Sequence, residues 1–288
     1  MTSVATPAPR AQRGVATRTW AFIRRHALMV YALLVVGYLM LPIAVVILFS
    51  FNKPPGSFNY VWTEFTFDNW VHWNAVLGIQ DAIITSLEVG LLATVVATAL
   101  GTLIAMAIVR HHFVGRGATN VLIFLPMATP EIVLGASLLT LFLNTTAIFQ
   151  LGFVTIFIAH VMFIVSFVVV TVKARLIGFD RHLEEAAMDL GANEVTTFRK
   201  VTLPLIAPAM LAAALLGFAL SIDDFVITYF NGGSVTQTFP VFVWGIARVA
   251  VPPQVNVVAS AIFIVAIGLA LGNVFWQYRS AKRAQGAT

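Results

Sequence analysis

Six long apolar runs alternate with polar connections along the chain. They cover approximately Ala27–Phe51, Ala82–Arg110, Asn120–Asn144, Phe149–Val172, Leu205–Tyr229 and Asn256–Trp276. About 20 mostly apolar residues are enough for a helix to cross the hydrocarbon core of a bilayer, and each run reaches that length. The first run is too long for the apolar core of a signal peptide, roughly 7–15 residues, and no small-x-small cleavage site follows it. It is read as a retained helix, and Arg24-Arg25 as no twin-arginine signal for the same reason. The expected fold is all-α, with six transmembrane helices.

The charges between the runs give an orientation. Arg10, Arg13, Arg18, Arg24 and Arg25 precede the first run. Arg110 and Arg116 follow the second, and Lys173, Arg175, Arg181, Arg199 and Lys200 lie between the fourth and fifth. Arg279, Lys282 and Arg283 follow the sixth. Fifteen of the 17 basic residues thus fall on one side, leaving Lys53 and Arg248 on the other. Basic residues concentrate in cytoplasmic connections, so both termini are expected in the cytoplasm, as an even number of spans requires. The expected layout is a tail and interfacial segment over 1–26, a membrane domain over 27–276 and a second tail over 277–288. Residues 1–13, rich in Ala, Pro, Thr and Arg, are expected to be disordered. Residues 15–26 mix Trp20, Phe22 and Ile23 with arginines, a pattern suited to the membrane interface. The outer connection 52–81 carries Trp62, Phe65, Phe67, Trp70 and Trp73. Such aromatics suit the headgroup level, with a sugar-stacking platform as the alternative, and Asp68 is placed to N-cap a short helix there.

Composition narrows the class. Of 288 residues, 59% are hydrophobic and 10% charged, where a soluble domain carries about 25% charged residues; the mean hydropathy is +0.92. Lipid must be the solvent for much of the surface. The net charge of +5 would suit a nucleic-acid binder, but its basic residues sit between apolar runs, so no nucleic-acid partner is expected. The absence of Cys excludes disulfides, zinc–thiolate sites and a cysteine nucleophile.

The stretch 178–204 is too long and too patterned for a simple turn between helices. Leu183, Ala186, Ala187 and Leu190 recur at helical spacing on one face. Asp180 is positioned to cap this helix, and Glu184 and Glu185 suit the positive end of its dipole. Gly191 sits where a left-handed residue ends a helix, Asn193 can cap a second short helix ending in Arg199-Lys200, and Pro204 opens the next run. The product is a short amphipathic helix beneath the membrane. It can dock on a partner protein or rest on lipid headgroups, and the pattern alone does not choose.

Glu185, Ala186, Ala187, Gly191, Val201, Leu203 and Pro204 match, in every spacing, the signature of ABC-importer permeases: Glu-Ala-Ala, three residues, Gly, nine residues, Ile, one residue, Leu-Pro. The one departure is Val201 for Ile, which keeps a β-branched apolar side chain. The chain therefore resembles the type I binding-protein-dependent permeases. Pro130-Glu131-Ile132-Val133, Ser137-Leu138-Leu139, Phe167–Lys173, Leu220–Phe225 and Val251–Asn256 are similar to the spermidine/putrescine branch, and the likeness to its second permease subunit extends over about Phe51 to Trp276. The resemblance implies that 178–204 holds the coupling helix, with Glu185, Ala186, Ala187, Gly191, Leu203 and Pro204 meeting an ATPase. It implies as partners a second homologous permease, two cytoplasmic ATPase subunits and an extracytoplasmic substrate-binding protein, in the inner membrane of a bacterium. ATP and Mg would be bound by the partner ATPase. Asn231, Gly232 and Gly233, in a Gly-rich outer turn, are expected to contact the binding protein, with an ordinary exposed turn as the alternative.

Four carboxylates fall within the apolar runs: Glu88, Glu131, Asp223 and Asp224. Burying such charges in a bilayer is costly, so they are expected to face the bundle interior or a wet path. There they would compensate the amines of a polyamine; structural pairing is the alternative. Asp223 and Asp224 would stand about 100° apart on a helix and so could not both face one point. Pro126 and Pro130, four apart, are expected to kink the third run. His160 is read as a satisfied interior histidine. No metal-ligand spacing is present, nor a Gly-x-x-x-x-Gly-Lys phosphate loop or Gly-x-Ser-x-Gly elbow, so no cofactor or catalytic set is expected on this chain. The expected function is a transport subunit. The alternatives are a permease of the same superfamily for another small solute, or an ion-coupled secondary transporter.

Overall fold

The computed structural model describes residues 15–178 and 180–285; the stretch 1–13 expected to be disordered lies outside them. In chain order the helices are α1 (Val15–Phe49), α2 (Asp68–Val71), α3 (Ile79–Arg110), α4 (Arg116–Ala128), α5 (Glu131–Asn144), α6 (Phe153–Ile177), α7 (His182–Asp189), α8 (Glu194–Thr197), a π-helical turn (Phe198–Thr202), α9 (Leu203–Ile222), α10 (Val226–Asn231), α11 (Phe239–Ile246) and α12 (Pro253–Gln285). Among the described residues four helical stretches are long and apolar enough to cross a membrane: His26–Phe49, Ile79–Arg110, Phe153–Ile177 and Glu194–Ile222. The bent pair α4–α5 makes a fifth if it is counted as one span.

Two of the expected spans are broken. The run 120–144 divides into α4 and α5, which meet at 108°. Thr129 precedes Pro130, and the clash of a proline ring with the residue before it disfavours helical backbone there; Thr129 is extended, with ψ 132°. The run 205–229 ends as a helix at Ile222 and restarts at Val226. Asp223 and Asp224 therefore lie between two helices, and the angle expected of neighbours on one helix does not apply to them.

The chain divides into two compact units, one formed by residues up to Trp73 with those from Pro252, the other by Asn74–Val251. In the second, α3, α6 and α9 pack together. Ala93, Ala97, Ala105 and Ile108 of α3 bury against Ile164, Val168, Val169, Val172 and Leu176 of α6 and Ile206 and Ala213 of α9. Glycines let the backbones approach. A Cβ on Gly101 would stand 2.6 Å from Val168 Cγ1, and one on Gly217 2.5 Å from Ile164 Cγ2. Lipid offers no hydrophobic drive between helices, so close contact at small residues is what holds such helices together. A second cluster joins Leu138 and Phe142 of α5 to Ala159 and Phe163 of α6 and Ile227 of α10.

In the first unit, α1 packs on α12. The connection after α1 folds around Asn52, which is fully buried. Its amide donates to Asn59 Oδ1 and to the Val61 carbonyl, both at 2.7 Å, and its Oδ1 accepts from Thr63 N. Phe65 and Trp70 stack on Phe51, and Phe67 meets it edge-on. Asp68 does not cap α2; it is the first helical residue and pairs with His72 at 2.9 Å.

Candidate functional site

Three places hold the residues singled out from the sequence. The first is the pair of helix breaks. Glu131 is the first residue of α5 and is exposed, where the helix N-terminus favours a carboxylate. Asp223 is exposed and Asp224 buried. Asp224 restarts the chain as α10: its carboxylate accepts the backbone N–H of Ile227 at 3.2 Å and of Thr228 at 2.9 Å, the role of an N-cap. The Thr228 hydroxyl donates to the same carboxylate. His160 of α6, 1% exposed, lies 3.2 Å from Asp224 Oδ2, 3.0 Å from Thr228 Oγ1 and, at Nδ1, 2.6 Å from Ser221 Oγ. One arrangement satisfies this set: Nε2–H donates toward Asp224 and Thr228, and Nδ1 accepts the Ser221 hydroxyl. The histidine thereby ties α6 to both sides of the break.

Glu131 heads α5, and Asp223 and Asp224 precede α10, which packs on α5. Glu88 lies on α3 at an exposed position. Beside the break lies an aromatic cluster that the sequence reading did not find. Phe225 stacks on Tyr229 and meets Trp244, each with ring centroids 5.3 Å apart. The Arg248 guanidinium carbon lies 5.3 Å from the Trp244 ring centroid, within the range of cation–π attraction. Tyr229 and Trp244 are each about half exposed. Trp244 and Arg248 sit four apart, a helical spacing, but nothing local links them to Phe225.

The second place is the segment 178–204. Asp180 Oδ1 accepts the N–H of His182, the first residue of α7. Gly191 has φ +88° and no heavy atom within 4 Å of where a Cβ would stand. Asn193 caps α8, accepting from Thr196 N at 2.8 Å. The second short helix does not stop at Lys200; it passes through the π-helical turn into α9. Ala186 is exposed, Leu183 is 49% exposed and Leu190 90% exposed; Ala187, Val201 and Leu203 are partly covered, and Pro204 is exposed. Glu185 faces outward and pairs with His182 at 3.1 Å. Its neighbour Glu184, given only a dipole role from the sequence, turns inward to Arg110 Nη2 at 2.7 Å and to the Thr202 hydroxyl. The partner lies 74 residues away, so no local spacing announces it.

The third place is the turn after α10. Asn231 and Gly232 are interior. Asn231 donates to the Ile227 carbonyl at 2.8 Å, and its own carbonyl accepts from the Thr155 hydroxyl at 2.7 Å. A Cβ on Gly232 would stand 2.7 Å from the Thr236 carbonyl oxygen. The exposed part is Gly233, Ser234 and Val235, with Gly233 at φ +68°. Among the described residues no group of three or more His, Cys, Asp or Glu is arranged to hold a metal ion.

Comparison with known proteins agrees with this architecture. Residues 97–284 match the family model described as the binding-protein-dependent transport system inner membrane component. The chain is 37% identical to the spermidine/putrescine transport system permease protein PotC of Haemophilus influenzae, over 86% of this chain and 94% of that protein. It is 34% identical to the putrescine transport system permease protein PotI of Escherichia coli, over 83% of this chain and 85% of that one. Among solved structures, a bacterial ABC transporter involved in the import of the acidic polysaccharide alginate superposes with a TM-score of 0.63 over 92% of this chain and 99% of that chain, at 16% identity; that likeness is one of fold.

Proposed function

The chain belongs to the family of binding-protein-dependent transport system inner membrane components, a transport subunit and not an enzyme, and from that premise we propose that it forms half of the translocation path of an ATP-driven polyamine importer. Six spans cross the inner membrane with both termini in the cytoplasm, α4–α5 counting as one and α12 as the last. A second, homologous permease completes the path. Two ATPase subunits bind ATP and Mg and dock on α7, where Glu185, Ala186, Ala187 and Gly191 meet them, with Leu203 and Pro204 leading back into the membrane. A binding protein delivers the solute to the outer face, at the tip Gly233–Val235, which Asn231 and Gly232 hold from inside.

The observation that carries the polyamine reading is the juxtaposition at the α9–α10 break. Exposed Asp223 stands two residues from Phe225, whose ring joins Tyr229 and Trp244, and exposed Glu131 heads α5, which packs on α10. An alkylammonium chain needs carboxylates for its charges and ring faces for cation–π contact, and Trp244 already faces a guanidinium. Asp224, spent on capping and on His160, holds the break in shape. The relatives named for spermidine and putrescine support the same substrate class. Broken helices also occur in ion-coupled transporters, but membership of a binding-protein-dependent family favours an energy source on another chain.

The test is reconstitution of the permease pair with the ATPase and binding protein in proteoliposomes, followed by uptake of labelled spermidine and putrescine. Uptake that requires ATP and the binding protein is expected. ATP-driven uptake of a different solute, with neither polyamine moving, would refute the substrate assignment.

A further inference from the structure

Resting on the coupling reading of α7, we infer that Glu184 is the positioning residue through which α7 moves the membrane helices. One oxygen, Glu184 Oε1, accepts from Arg110 at 2.7 Å and from the Thr202 hydroxyl. Arg110 is the last residue of α3, and Thr202 the last of the π-helical turn that leads into α9. A single carboxylate oxygen thus joins α7 to two of the three helices of the central pack. The side chains of the pair are only 11% and 15% exposed, against 87% and 56% for the His182–Glu185 pair beside it. An exposed pair is screened and contributes little, whereas a covered carboxylate held by a charged donor loses much when that donor is removed. The two adjacent glutamates therefore divide the work. Glu185 is presented outward, and Glu184 fixes α7 to the bundle.

The backbone at the other end of the contact fits the role. Five residues, Phe198–Thr202, leave α register for π register, a rare conformation that recurs at functional sites. Thr202 ends this turn with its side chain covered, so a displacement of α7 reaches the head of α9 at the point where its helix geometry changes. The same displacement reaches α3 through Arg110, and α3 and α9 pack on one another and on α6. Besides the Glu184 contact, α7 reaches α9 by packing on α8 and the π-helical turn and along the backbone through Gly191, whose surroundings are open.

The test uses the complete reconstituted transporter and reads the ratio of solute transported to ATP hydrolysed. Glu184→Gln is expected to reach the membrane and keep the ATPase bound, yet lower that ratio by at least about fivefold, the low end of typical coupling between sites. Thr202→Val removes only a hydroxyl and is expected to lower the ratio in the same direction; it serves as the probe if Glu184→Gln fails to assemble. Arg110 has other contacts, so the decisive comparison is a double-mutant cycle: on an Arg110→Gln background, Glu184→Gln is expected to add no further loss. An unchanged ratio in Glu184→Gln, or in Thr202→Val where that variant serves, overturns the inference. So do losses that multiply in the double variant. If the ATPase fails to bind the wild-type permease pair at all, it is the coupling reading that falls.

Discussion

Gly191 and the two aspartates of the α9–α10 break show how much one side chain decides. At Gly191 the space for a Cβ is open and only the backbone is demanding, with φ +88°. Left-handed backbone costs an ordinary residue about 1–2 kcal/mol, while Asn and Asp visit it more readily. Gly191→Val is therefore expected to impair transport strongly and Gly191→Asn or Gly191→Asp mildly, with normal membrane levels for all three; uptake rates at matched expression check the order. Asp223 and Asp224 separate by burial. Asp224→Ala strands the N–H groups of Ile227 and Thr228 and the ring of His160, and should destabilise the protein by about 1–3 kcal/mol, seen as a lower melting temperature in detergent. Asp223→Asn should leave the melting temperature unchanged and raise the KM for polyamine uptake several-fold. Equal stability loss in both variants would contradict the division of roles.

At the scale of the helices, what could be read from the sequence follows from what is local. The caps at Asn193 and Gly191 and the kink at Pro126–Pro130 rest on neighbouring residues, and the structure keeps them; of the apolar runs, those at 27–51, 82–110 and 149–172 form long single helices, while 120–144 and 205–229 are broken. The size of the 108° bend was not legible, because it depends on what α5 packs against: Leu138 and Phe142 bury on α6, and Gly135 lies under Phe230. The break at Asp223–Phe225 was hidden for a related reason. An apolar stretch with two aspartates reads as a helix with two misplaced charges until His160, 64 residues before Asp224, supplies the partner that makes a buried cap affordable. The Glu184–Arg110 pair and the Phe225–Trp244 contact are long-range in the same way. Helix packing gives its own prediction. Gly101→Leu and Gly217→Leu put side chains where Val168 and Ile164 already stand. Overpacking costs typically about 1–3 kcal/mol, and both variants should lower melting temperature and yield, whereas Gly117→Leu, with open space around it, should do neither.

For the whole molecule, orientation is the property on which the functional reading depends, since α7 can meet an ATPase only from the cytoplasm and Gly233–Val235 a binding protein only from outside. The charge asymmetry, fifteen basic residues against two, supplies the expectation, and the chain's lack of cysteine makes it directly testable, because any introduced thiol is unique. Useful positions must be exposed as well as correctly placed. Thr197 is buried and would report poorly from either side, whereas Val195, two residues earlier, is 66% exposed. Ser57→Cys and Ser234→Cys, both at exposed positions, should react in intact cells with a thiol reagent that cannot cross the membrane. Ala118→Cys and Val195→Cys should react only after permeabilisation. Each site is separated from the next by at least one membrane-crossing helix, so an error in one span shifts some of them and not others. Outside labelling at Val195 with inside labelling at Ser234 would invert the protein and remove α7 from the ATPase. Outside labelling at Ala118 alone would instead mean that α3 does not cross the membrane as a single span, which would overturn the span count while leaving the place of α7 intact.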